Sequence, residues 1–89
     1  MKSLLIALAL FAGPVSAQSN CAAYDVASAN MADRYGEYVQ ARAVTYNGFM
    51  FEIYVNSATG TWSILRTGPD GTACLVDNGT DFEPMGDEA

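Results

Sequence analysis

Asn47-Gly48 stands between two apolar, aromatic runs, Val44-Thr45-Tyr46 before it and Phe49-Met50-Phe51-Glu52-Ile53-Tyr54-Val55 after it. In that setting the dipeptide is a strong β-hairpin signal, because both central residues of a type I′ turn need a positive φ. Glycine adopts it freely and asparagine tolerates it. A two-residue turn pairs Tyr46 with Phe49, Val44 with Phe51 and Arg42 with Ile53, and it sets Ala43 against Glu52 and Ala41 against Tyr54. Phe49, Phe51, Ile53 and Val55 then share one face, which is expected to carry the core.

The flanking segments extend the sheet to four strands. Residues 37–46 read as the first strand, and residues 61–67 as the third, alternating Trp62, Ile64 and Arg66 with Ser63, Leu65 and Thr67. Gly68-Pro69-Asp70-Gly71 is a type I turn with a glycine bulge, since Pro69 is preset for the second turn position. Residues 72–77 make the fourth strand, with Cys74 and Val76 on the face of Trp62 and Ile64. Upstream, residues 20–35 show a helical pattern, in which Cys21, Tyr24, Ser28, Met31 and Tyr35 recur at steps of three and four and Val26 is a misfit. Ser19 or Asn20 would cap this helix, Asp25 would sit well in its first turns, and Gly36 would stop it. The expected fold is α+β: one N-terminal helix packed on a four-stranded antiparallel meander.

Residues 1–17 read as a secretory signal peptide. Lys2 supplies the positive start, residues 4–11 form an apolar run too short to span a bilayer, and Val15-Ser16-Ala17 presents small residues at a cleavage site. Gln18, Ser19 and Asn20 are poor residues for a lipoprotein box ending at Cys21, so no membrane anchor is expected after cleavage. The domain is expected at residues 18–80, with an acidic tail at 81–89 from which Phe82 can fold back. A domain this small buries only about 60% of the surface its unfolded chain exposes. The two cysteines are therefore expected to pair as Cys21–Cys74, which would remove on the order of 4 kcal/mol of unfolded-state entropy by closing a loop of about 50 residues. The implied address is periplasmic or secreted.

The chain has ten Asp and Glu, four Lys and Arg and no His, for a net charge of −6. Beyond the leader only Arg34, Arg42 and Arg66 are basic, which argues against a nucleic-acid partner or an anionic membrane surface. With no His, no Lys past residue 2 and both cysteines in a bridge, the chain is expected to be non-enzymatic and without a cofactor. Glu52 with Asp77 or Asp81 could form a carboxylate pair, but on solvated strands and turns. Asp77, Asp81 and Glu83 gather oxygen ligands as a calcium loop does, without the EF-hand spacing, and are a weak metal candidate.

In this register the sheet face away from the helix carries Met50, Tyr54, Leu65 and Leu75, with Val39, diluted by Glu52, Ser63 and Thr67. These four are the candidate interaction surface, for an envelope or secreted protein partner or for a homodimer. An alternative is an inhibitor of a secreted hydrolase that presents the loops at residues 56–60 and 68–71.

Several short motifs together resemble a group of small secreted proteins of bacterial envelopes. They are the cysteine soon after the leader, Tyr35-Gly36-Glu37, Phe51-Glu52-Ile53, Gly60-Thr61-Trp62-Ser63-Ile64, Pro69-Asp70-Gly71 and Cys74-Leu75-Val76. The resemblance spans nearly all of the mature chain. It implies a periplasmic address and brings no activity or functional residue with it.

Overall fold

A computed structural model of the chain describes residues 20–86. The signal peptide expected at residues 1–17, Ser19 as a cap and the last three tail residues lie outside the described residues. The described residues form β1 (Cys21–Ala23), α1 (Tyr24–Tyr35), β2 (Tyr38–Val44), β3 (Met50–Val55), β4 (Trp62–Thr67) and β5 (Thr72–Gly79). The strands make one antiparallel sheet in the order β1-β5-β4-β3-β2. The fold is α+β and is bridged by Cys21–Cys74, with five strands where the sequence suggested four.

The additional strand comes from the start of the expected helix. Cys21, Ala22 and Ala23 lie opposite Cys74, Ala73 and Thr72. The backbone there is satisfied by β5 and its turn: Leu75 N–H donates to Asn20 O at 2.8 Å and Tyr24 N–H donates to Gly71 O at 3.0 Å. A disulfide whose cysteines face each other across two strands is met by extended chain at Cys21. The helix therefore begins at Tyr24, with Ala23 in cap position and no side-chain cap. Asp25 sits in its first turn, and Gly36 ends it in a left-handed conformation.

The central hairpin is where the sequence pointed, but its turn differs. Thr45 N–H donates to Phe49 O at 2.7 Å and Gly48 N–H to Thr45 O at 3.1 Å. Gly48 has φ 92°, whereas Asn47 does not enter the positive-φ region. The loop thus has three residues and closes on a glycine bulge, not on a type I′ pair. The Thr45 side chain favours this geometry, since its Oγ1 contacts Asn47 Oδ1 and accepts from Phe49 N–H at 3.0 Å. The β4–β5 turn has the same plan, with Gly68 N–H to Thr72 O and Gly71 N–H to Gly68 O, both at 3.0 Å.

The longer loop moves the register by one residue. Val44 pairs with Met50, Ala43 with Phe51, Arg42 with Glu52 and Ala41 with Ile53, before an irregularity between Val39 and Ala41. The faces are also exchanged relative to expectation. Ala27 and Met31 of α1 pack on Tyr54, Leu65 and Ala73, with Ala22, Tyr24 and Leu75 around them. Of the expected helix stripe, Met31 is buried, Tyr24 and Ser28 are half-buried and Tyr35 is exposed. The topology supplies a reason. The four antiparallel steps make β1 and β2 parallel to each other, so α1 is a crossover between two parallel strands of one sheet. Such connections are strongly handed, and the hand selects the face that the helix covers.

At the far end, residues 80–82 return to the sheet. Phe82 is half-buried and its N–H donates to Gly60 O at 2.9 Å, so it folds back onto the loop before β4. Trp62 lies on Gly79, where an added Cβ would meet the indole at 2.8 Å, and its Nε1–H donates to Thr80 O at 3.1 Å.

The bridge closes a separation of 53 residues in a small domain. The double variant Cys21→Ser with Cys74→Ser should lose about 2–5 kcal/mol of unfolding free energy in urea titrations. An unchanged midpoint would show that β1 holds without the bridge.

Candidate functional site

Two sites stand out, one on each face of the sheet. On the helix side, Glu52 is 1% exposed. The alternation of β3 turns it inward beside Tyr54, and the register sets Arg42 directly opposite. Its Oε2 accepts from Arg42 Nε at 2.8 Å and Tyr24 OH at 3.1 Å, and its Oε1 from Tyr54 OH at 2.8 Å; Arg42 Nη2 lies 2.6 Å from Oε2. Tyr54 OH also lies 2.9 Å from Ser28 Oγ. The hydrogen bond to Glu52, and then its charge, pushes the Arg42 guanidinium further above its ordinary value. Burial pushes the Tyr54 hydroxyl well above the usual tyrosine range. The cluster thus holds a neutral phenol, a carboxylate and a guanidinium together, and it ties α1 to β2 and β3.

On the other face, Phe51, Ile53 and Val55 of β3 stand opposite Arg66, Ile64 and Trp62 of β4. Val55 is buried, Ile53, Ile64 and Trp62 are half-buried, and Phe51 is 37% exposed. The register places Asp77 beside Ile64, and Cys74 beside Arg66. Arg66 is exposed, and its guanidinium lies 5.3 Å from the centre of the Phe49 ring. Among the described residues the one ion pair is that of Arg42 with Glu52, so Arg66 is a cation without a carboxylate partner. This arrangement can receive an apolar surface and orient it through one charge.

These placements correct the expected interaction surface. Tyr54 and Leu65 are 1% and 2% exposed beneath the helix, and Met50 and Leu75 are half-buried on that same side. None of the four lies on the open face. Glu52 is likewise not a solvated carboxylate, and it is not brought near Asp77 or Asp81 as a catalytic pair would be. Asp77, Asp81 and Glu83 do not converge either: the described residues contain no group of three or more acidic, His or Cys residues placed to hold a metal. Asp77 Oδ1 instead accepts from Asn78 N–H at 2.9 Å, and Asp81 has φ 61°.

Sequence reasoning missed the cluster around Glu52. The signal was present in the pairing of Arg42 with Glu52, which a three-residue loop produces and a two-residue loop does not. Compared with family models, with curated proteins and with solved structures, the chain matches none of them.

Two outcomes follow for the buried cluster. Glu52→Ala should cost about 2–5 kcal/mol in chemical unfolding, because two tyrosine hydroxyls lose their acceptor inside the domain. Tyr54 holds its proton more tightly when folded than when unfolded, so its contribution is complete below about pH 10 and shrinks as pH rises above that. The unfolding free energy of the wild type should therefore fall more steeply than that of Tyr54→Phe as pH rises from about 10 to about 12. Parallel curves would refute the assignment.

Proposed function

We propose that this chain is a non-enzymatic interaction module of a periplasmic or secreted compartment, docking a protein partner on the sheet face that the helix leaves open. One observation carries the reading. Polar Glu52, Ser63 and Thr67 are buried under the helix, whereas Phe51, Ile53 and Ile64 lie on the uncovered side. A sheet face stays apolar on its wet side at a cost in solubility, and such patches mark docking surfaces. The disulfide fits an oxidising compartment, and the signal-like start of the sequence fits the same address.

The partner is argued from charge. Among the described residues Arg66 has no carboxylate partner, and it stands within this apolar face on a chain whose net charge is −6. A second copy would bring the same net charge against itself. An unlike protein that presents an apolar patch with a carboxylate for Arg66 meets the face better. The reading as a hydrolase inhibitor keeps one supporting feature: Asn56 Oδ1 accepts from Ala58 N–H at 2.9 Å and Thr59 N–H at 3.1 Å, so the loop after β3 is internally braced.

Immobilised mature chain should retain a specific protein from an envelope extract of its source, and calorimetry with that protein once purified should give a saturable isotherm. Ile64→Asp should abolish it, and Arg66→Glu should weaken it on the order of tenfold, with the far-ultraviolet spectrum unchanged. Binding that survives Ile64→Asp would overturn the proposed surface. Sedimentation that shows a concentration-dependent dimer sensitive to the same substitution would make the partner a second copy instead.

A further inference from the structure

Glu37 lies just past the end of α1 and is 3% exposed. Gly36 N–H donates to Ala32 O and Glu37 N–H to Met31 O, both at 3.0 Å, so the chain doubles back over the last helical turn. A helix stop of this kind ordinarily seats an apolar residue against that turn. Here it seats a carboxylate whose Oε1 is buried without a hydrogen-bond partner. Among the described residues the one ion pair, Arg42 with Glu52, does not include Glu37. A buried charge in this state is costly unless something meets it.

Beside it runs a groove of about 430 Å³ between α1 and the strands β2 and β3. Glu37 and Asp25 supply two carboxylates to its wall and Tyr24 and Tyr38 supply phenol rings, while the buried Tyr54 and its partner Ser28 border it with hydroxyls already engaged with each other. Neither Lys nor Arg is part of the lining. An anion would find no counter-charge in such a groove and two carboxylates against it. Two carboxylates, one of them exposed on the helix, make a poor cage for a metal ion. A positively charged nitrogen fits, because aromatic faces attract cations and an ammonium brings donors but no acceptor.

We propose that this groove binds an organic ammonium cation, a charged nitrogen on a short apolar body, with Glu37 as its principal counter-charge. The site lies on the helix side of the sheet, so it does not depend on the docking face. A free primary amine offers both the charge and the N–H donors that Glu37 Oε1 lacks, whereas the quaternary headgroup of a choline lipid offers the charge and the ring contact alone.

The test titrates the oxidised mature chain with choline chloride and with n-butylammonium chloride, against sodium chloride at equal ionic strength. The wild type should bind at least one of the two saturably and melt higher in its presence. Glu37→Gln should weaken binding on the order of tenfold, while its own melting temperature without ligand stays equal or rises, since a buried charge has been removed. Glu83→Gln, at an exposed carboxylate outside the groove, should bind as the wild type does. Co-sedimentation with phosphatidylcholine vesicles would assign the lipid headgroup, and binding confined to the soluble probes would assign a free amine. Absence of saturation in the wild type, or equal binding by Glu37→Gln, would overturn the proposal.

Discussion

The pairing of β1 with β5, bridged by Cys21–Cys74, is the constraint on which the rest of the domain depends. Three residues of strand turn the start of a helix into the start of a crossover. The helix must then travel from one edge of the sheet to the other, and it reaches β2 on the side where Ala27 and Met31 meet Tyr54, Leu65 and Ala73. Without β1, a helix joined to one edge of a meander has no comparable restriction on its side. The buried positions of β3 and β4 alternate in step with the face that the helix takes.

The consequence is an inverted distribution of polarity. The covered side accommodates Glu52 by surrounding its carboxylate with Arg42, Tyr24 and Tyr54, so that each oxygen has a donor. A buried carboxylate satisfied in this way holds one arrangement of helix and hairpin, because a slip by one residue would part it from Arg42. The same inversion leaves aliphatic and aromatic side chains on the opposite side. Glu37 differs from Glu52 in that its Oε1 has no donor among the described residues. One carboxylate is explained by the fold itself, and the other by what the fold is able to receive.

Much of the local structure was legible in the sequence. Three hairpins, the stop at Gly36, the bulge at Gly71 and the pairing of the cysteines follow from residue type and spacing. The pattern was silent where two local solutions are nearly equivalent. Asn47-Gly48 suits a two-residue turn and also a three-residue loop, and the choice was decided by the Thr45 side chain bonding across the loop. Ala22 and Ala23 suit a helix at least as well as a strand, and only the pairing with β5 makes them extended. Alternation along β3 and β4 separated the two faces correctly, yet it contained nothing about which face a helix would take. Apolar content suggested the wrong one, and the candidate surface at Met50, Tyr54, Leu65 and Leu75 went with it.

Trp62 is the only tryptophan in the chain. Its indole rests on Gly79 and donates to the carbonyl of Thr80, where the chain leaves β5 and turns back toward Gly60. It also shares its face with Ile64 and Arg66. The molecule therefore carries its own optical probe at the border between the open face and the returning C-terminal segment. Its emission is sensitive to changes in solvation at that border, and the probe requires no label and no substitution.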